Sequence, residues 1–474
     1  MTFFITNSYA LAGEYVYPGP PYAMPLINNR GKLSVRSKSG LIYLSELYQY
    51  SRELYDHIKG IHVIHEETLK SSYKTIRKAF EESFSKHVKV LWAVKSLPVR
   101  RVLRVLSEEG IDGVDIASPQ EALLAASCGI PMEWSTYTAP SKNELSLKQV
   151  LKTGAIDIVD SLDELSLVAK LSRNLNLDKP KIGIRVNPEI EADLPHQIFT
   201  ASPRCKFGVP LNYAKKLIHR AEEMGLAPSL IHLHIGSQVP SPEIYDKALA
   251  RLSEALKEID IRVLDIGGGL PFDYMSAEQW NELKNQGYSP KFKSHVETPL
   301  KTFIKELSKA VKEYFSSIET LILEPGRAIV AGAMSTCGEV LGFKYLGIKH
   351  DLDVGWVIST VSVNELHHKL VEPDLFHHII LADKLDEKAT TASGVGGDLC
   401  FTGDVLTPTN VFLKMPPSTP GDCICAVNTG AYSITGAANY HRCPRFPILS
   451  ITLDGDILVA RKPEPYDPFD VLDL

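Results

Sequence analysis

From residue 87 onward, short apolar, β-branched runs alternate with longer segments whose apolar residues recur every three or four positions. Ahead of that point, Gly60-Ile61-His62-Val63-Ile64-His65 reads as a strand and residues 66–84 as an amphipathic helix. His87-Val88-Lys89-Val90-Leu91 then reads as a buried strand that delivers Ala93-Val94-Lys95-Ser96. Further strands are expected at 113–117, 133–138, 155–159, 181–186, 229–235, 261–266 and 320–323. With the lysine strand these make eight, separated by helical stretches, so the fold class expected is α/β, a (β/α)8 barrel with its active site at the C-terminal strand ends. Residues 1–55, rich in Tyr, Pro and Gly, form an N-terminal segment with a β-like piece at 32–36 and a helix at 41–55. This segment is expected to pack partly with a second domain. Past about residue 331 the helical period fades and short β segments with turn signals take over, among them Asn428-Thr429-Gly430 and the hairpin turn Leu453-Asp454-Gly455-Asp456. The expected organisation is therefore 1–55, a barrel over 56–330, and a mostly β domain over 331–474.

Composition changes this picture little. A chain of 474 residues, 44% hydrophobic and 23% charged, is an ordinary globular protein with an ample core. A net charge of −6 and a pI near 6.2 argue against a nucleic-acid partner. No run approaches the ~20 apolar residues that span a bilayer, and the N-terminus lacks the charged and apolar regions of a signal peptide. Seven cysteines are scattered, with only Cys423-Ile424-Cys425 close-spaced, which suggests neither a metal site nor a disulfide framework. A reduced, cytoplasmic enzyme is the expected class.

The strand ends carry the chemistry. They read Lys95, Asp115-Ile116-Ala117-Ser118, Asp160-Ser161, Arg185-Val186-Asn187-Pro188, His234-Ile235-Gly236-Ser237-Gln238, Asp265-Ile266-Gly267-Gly268-Gly269 and Glu324-Pro325-Gly326-Arg327. One polar strand end is a helix cap; this many around one barrel mouth form a site. A desolvated lysine is a nucleophile toward carbonyls. The backbone of Gly268 and Gly269, with Ser237, the Gly326 turn and Arg327, forms a plausible phosphate cup, although a glycine run alone reads equally well as a tight turn. Glu324 could hold a proton on a pyridine nitrogen, and His234 could stack on a flat ring or serve as a core histidine. Lysine, phosphate cup, carboxylate and imidazole are together the parts list for pyridoxal 5′-phosphate, PLP.

These motifs, with Cys400-Phe401-Thr402-Gly403-Asp404, Gly430-Ala431-Tyr432 and Asn439-Tyr440-His441-Arg442-Cys443-Pro444-Arg445, occur in order over residues 60–450. The chain thereby resembles the fold-type III, PLP-dependent amino-acid decarboxylases, particularly the diaminopimelate and ornithine decarboxylase group. The resemblance implies an alanine-racemase-like barrel followed by a β domain. It implies Lys95 as the residue that carries PLP as a Schiff base, Glu324 as partner of the pyridine nitrogen and His234 as the stacking residue. Ser237, Gly268, Gly269, Gly326, Arg327 and Tyr432 would hold the phosphate, with Asp115 and Arg185 beside the Schiff base. It also implies a head-to-tail homodimer in which Cys400 reaches the neighbouring subunit's cofactor and protonates the carbanion left by CO2. Glu372, Phe376, Phe401, Asp404, Tyr432 and Tyr440 would contact the substrate.

The distal end departs from the pattern. Diaminopimelate and ornithine enzymes carry an acidic residue directly after the cysteine, where this chain has Phe401. The best match to an Arg-Pro-x-Leu-Tyr segment is Glu372-Pro373-Asp374-Leu375-Phe376. The expectation is a decarboxylase acting on another amino acid or amino-acid conjugate, in a specialised pathway such as a siderophore's or in amino-acid or polyamine biosynthesis. The alternatives are an ordinary diaminopimelate decarboxylase, an amino-acid racemase on the same barrel, and an inactive regulatory homologue.

Overall fold

The computed structural model describes residues 2–6, 20, 23–175 and 180–470; most of the Tyr- and Pro-rich stretch 7–22 lies outside the described residues. The chain divides into two compact units: Tyr73–Pro271 with Glu297–Ile329, and Met1–Ser72 with Phe272–Val296 and Val330–Leu474.

The first unit is the barrel. Its strands are β1 (His87–Ala93), β2 (Gly113–Ile116), β3 (Thr136–Thr138), β4 (Ile156–Val159), β5 (Ile182–Asn187), β6 (Leu230–His232), β7 (Val263–Asp265) and β8 (Thr320–Leu323). All pair in parallel in chain order, and β8 closes on β1 through Thr320↔His87 to Leu323↔Val90. Side chains alternate across each strand, so residues two apart share a face. Leu91, Ile156, Ile158, Leu230 and Ile322 meet in one buried cluster. Two to four residues further along those strands the same face presents Lys95, Asp160, His232 with His234, and Glu324. Apolar layers thus fill the lower barrel and polar ones its C-terminal mouth.

The regular ladder is shorter than the apolar runs: three residues on β3, β6 and β7. The backbone stays paired beyond it, as in Leu233 N–H to Asp265 O at 2.9 Å and Ile266 N–H to Ile322 O at 3.1 Å. Two polar strand-end residues turn out to be helix caps. Ser118 and Ser161 each accept the backbone N–H three residues on, at 3.2 Å, starting helices Pro119–Ser127 and Leu162–Asn174.

The second unit is built on a ten-stranded sheet. Strand Gly60–His65, expected within the barrel domain, belongs here instead: it lies antiparallel to Met334–Lys349 and parallel to Ile448–Ile451. Its six residues are all buried, so periodicity alone could not say which sheet it joins. A small sheet of Leu26–Asn29, Lys32–Ser37 and Gly40–Tyr43 leads into helix Leu44–Leu54. The hairpin expected around Asp454-Gly455 forms between Ile448–Ile451 and Ile457–Arg461. One cysteine expectation is corrected. Cys337 and Cys425 face each other across neighbouring strands, 88 residues apart in sequence, and their sulfurs form a disulfide. Cross-strand pairing brings them together, and spacing along the chain holds no trace of it. Among the described residues no helix is long and apolar enough to cross a membrane.

Candidate active site

The barrel mouth brings together the strand-end residues of the first unit. Lys95, in a single turn of 3-10 helix after β1, places Nζ 2.6 Å from Asp115 Oδ2 at the end of β2. The lysine is part-exposed while Asp115 is enclosed, at 37% and 1% side-chain exposure, so the ammonium faces the opening and the carboxylate lies beneath it. Burial and then the charge of Glu324 raise the Asp115 carboxyl to about 6, with Lys95 opposing.

Glu324, just past β8, is buried with both oxygens engaged: Thr136 donates to Oε1 at 2.5 Å, and His232 Nε2 lies 3.3 Å from Oε2. Burial opposes its ionisation, yet these contacts and the charge of Lys95 hold the carboxyl below the usual range. His232 is itself kept neutral by burial, so it serves Glu324 as an N–H donor and not as a cation. His234 is half-buried, and its Nδ1 accepts Gly268 N–H at 3.1 Å. Burial, followed by the charges of Arg185 and Lys95, pushes its pKa well down, so the ring at the mouth is uncharged.

Arg185 is buried on β5, its guanidinium 4.6 Å from the centre of the Phe207 ring. Asp160, directly after the adjacent strand β4, accepts the N–H of Gly208, and its charge favours the Arg185 cation against the effect of burial. Arg327 donates through Nε to Ser237 Oγ at 3.1 Å. The glycine run lies beside them. A Cβ on Gly268 would stand 2.5 Å from the Glu324 carbonyl, so a side chain has no room, and its own carbonyl is held by the Tyr245 hydroxyl.

A family model described as "Pyridoxal-dependent decarboxylase, pyridoxal binding domain" matches residues 66–331. The chain belongs to that family. A diaminopimelate decarboxylase of Aquifex aeolicus is 30% identical over 84% of this chain and 88% of its own. A solved diaminopimelate decarboxylase from Methanocaldococcus jannaschii, in co-complex with L-lysine, superposes with a TM-score of 0.77 at 24% identity, covering 94% of this chain and 98% of that one. A lysine/ornithine decarboxylase from Vibrio vulnificus complexed with putrescine reaches 0.66 at 20% identity, covering 86% and 97%. This decarboxylase is accordingly an amino-acid carboxy-lyase whose cofactor is PLP. The barrel mouth fits that cofactor on its own evidence. It offers a part-exposed amine, a buried ionised carboxylate, an uncharged imidazole, an arginine paired with a serine, and a glycine stretch with no space for side chains.

The remaining expected residues belong to the second unit. Cys400 is a free, exposed thiol, and Phe401 beside it is 43% exposed. The Phe401 ring lies 6.0 Å from Tyr440, itself 49% exposed and stacked on His441 at 4.3 Å. Tyr432 is part-buried and adopts a left-handed backbone, φ 62°. Two expected substrate contacts are corrected. Asp404 is enclosed, and its carboxylate accepts the N–H groups of Val363 at 2.8 Å and Leu399 at 2.9 Å, clasping the loop that carries Cys400. Phe376 is fully buried in the unit's main core, its ring against His378 at 4.9 Å. Each is fully used by its own fold, which a motif match could not reveal.

Glu372 is buried one turn from Lys369, whose Nζ donates to the carbonyls of Pro373 and Leu375. Burial lowers the Lys369 amine to about 7 against the pull of Asp374 and Glu372. Thr136, His232 and Lys369 had no assigned role in the sequence. His232 was within reach, because it lies two positions before His234 and hence on the same face of its strand.

Proposed function

We propose that this decarboxylase acts on an α-amino acid whose distal end differs from that of diaminopimelate, at sites completed by a second copy of the chain. The observation that carries the assignment of roles is the Lys95–Asp115 contact at the mouth, over a Glu324 carboxylate held at both oxygens. Lys95 anchors the cofactor through Nζ. Glu324 accepts the N–H of the protonated ring nitrogen and so keeps the proton there, and His234 stacks on the ring. Arg327, Ser237, Gly268, Gly269, the Gly326 turn and Tyr432 hold the phosphate, while Asp115 and Arg185 flank the anchoring amine. When bound, PLP supplies an electron-poor ring that takes up the electron pair left as CO2 departs.

The chain's own residues govern protons and orientation. Asp115 beside Lys95 can take or return a proton at Oδ2, with a pKa close to neutrality. The neutral His234 adds no charge to the ring face. Cys400 of a second copy donates the proton that replaces the carboxylate, in a head-to-tail homodimer; its exposure and the Asp404 clasp that fixes its loop support this reading. Borohydride should fix the cofactor to the peptide containing Lys95, and a label on another lysine would refute the anchor. Mixing inactive Lys95→Ala and Cys400→Ala chains should restore activity if sites are shared; no recovery after verified subunit exchange would refute that.

The distal reading rests on Phe401, which follows Cys400 where the resembling enzymes carry an acidic residue, and is supported by the exposed aromatic pair that Phe401 forms with Tyr440. An amino-acid conjugate, as in siderophore assembly, suits such a surface better than a second charged α-amino-acid end. Diaminopimelate itself remains the second reading, favoured by the relatives' activities. Comparing kcat/KM for meso-diaminopimelate, lysine, ornithine and larger conjugates, with and without Phe401→Glu, decides between them. If diaminopimelate is the best substrate of the wild type, the altered-end reading falls.

A further inference from the structure

Behind Glu324 three side chains from three strands converge. Thr136 donates to Oε1 and His232 approaches Oε2, as described. The third is Asp265 on β7: carboxyl oxygens of Asp265 and Glu324 and a ring nitrogen of His232 lie within 4.8 Å of one another, all buried. Asp265 Oδ1 accepts Gly267 N–H at 2.8 Å, while its enclosed Oδ2 meets no donor among the described residues. An ionised oxygen there would be buried, unsatisfied and set against a second carboxylate. Two carboxyls that close in a dry site do not both ionise. An O–H at Oδ2 removes both difficulties, since it needs an acceptor and the Glu324 carboxylate is the one at hand.

We propose that Asp265, His232 and Thr136 are positioning residues that converge three donors on the Glu324 carboxylate, Asp265 contributing the proton of its own carboxyl group. The electrostatics run the same way: burial, then the charge of Glu324, then Asp115, raise Asp265 well above the ordinary range, opposed by the Gly267 N–H. His232, the remaining titratable neighbour, is neutral and adds no cation. Through Oδ1 the same carboxyl fixes the left-handed Gly267, φ 66°, that opens the glycine run. Asp265 thereby ties the geometry of that run to the carboxylate behind it. The effect on the cofactor rests on the reading that Glu324 faces the ring nitrogen.

The test is infrared difference spectroscopy of the holoenzyme, wild type minus Asp265→Asn. It should show the carbonyl stretch of a protonated carboxylic acid, shifted by deuteration; absence of that band overturns the proposal. Asp265→Ala should weaken PLP binding about tenfold or more and move the pH titration of the bound chromophore, because a hydrogen bond to an ion is lost. Asp265→Asn, which keeps the same acceptor and donor in the same shape, should restore both. An Asn variant that behaves like Ala shows that the charge and not the donor matters, and the proposal fails. If Glu324→Gln leaves the chromophore unchanged, the reading of Glu324 fails instead, and the infrared band still decides Asp265.

Discussion

At Asp115 stability and activity should move in opposite directions. The perturbation is Asp115→Asn, which keeps the shape and removes the charge. The native carboxyl is 1% exposed and is raised from 3.8 to about 6, by burial first and by the charge of Glu324 second, even with Lys95 at 2.6 Å. A raised carboxyl favours the folded state only while protonated. Its contribution is full below the unfolded value and is lost as pH rises through about 6. A shift of about two units, at ~1.4 kcal/mol each, amounts to ~1–3 kcal/mol lost at neutral pH once the coupling to Lys95 and Glu324 is discounted. Urea unfolding of the cofactor-free protein at pH 8 should therefore show Asp115→Asn to be the more stable protein by ~1–3 kcal/mol, with the gap closing toward pH 4. The loaded variant should lose about tenfold or more in kcat/KM, because Lys95 has lost its charged partner. A variant less stable than wild type at pH 8, or a difference that does not change with pH, would refute the reasoning.

Gly268→Ala would set a methyl 2.5 Å from the backbone carbonyl of Glu324, which cannot swing aside as a side chain could. It should fold, with unchanged circular dichroism, and bind PLP about tenfold or more weakly by equilibrium dialysis. Lys142 is fully buried between Asp157 at 2.9 Å and Glu164 at 2.6 Å. Lys142→Met strands those carboxyls and should cost about 3–5 kcal/mol in urea unfolding, most of it recovered by adding Asp157→Asn and Glu164→Gln. Asp404→Ala removes the acceptor of two buried N–H groups, ~1–3 kcal/mol, and frees the loop bearing Cys400. Protease cleavage within residues 397–404 should rise and turnover fall while PLP content stays unchanged; unchanged cleavage would show that the clasp is not what orders the loop.

Local pattern determined much of this protein. Eight apolar runs spaced by amphipathic helices specify a closed parallel barrel, because parallel strands need helical crossovers and right-handed connections leave few other topologies. The two-residue period then says which side chains meet inside, so the grouping of Lys95, Asp115, Arg185, His234 and Glu324 was legible from residue numbers. What the pattern could not carry is choice of partner. Strand Gly60–His65 is buried on both faces and would suit either sheet, and only its pairing with Met334–Lys349 assigns it. Cys337 and Cys425 look unrelated until two strands run side by side. Asp404 and Phe376 resemble site residues by position and prove to be a loop clasp and core, because hydrogen bonds and burial are set by segments distant in sequence. The donors on Glu324 come from residues 92 and 188 positions away, His232 and Thr136. Covalent order says which residue types are available and which face of an element they occupy. The ionisation of a buried carboxyl depends on which other elements close over it, and that is decided only when the barrel shuts.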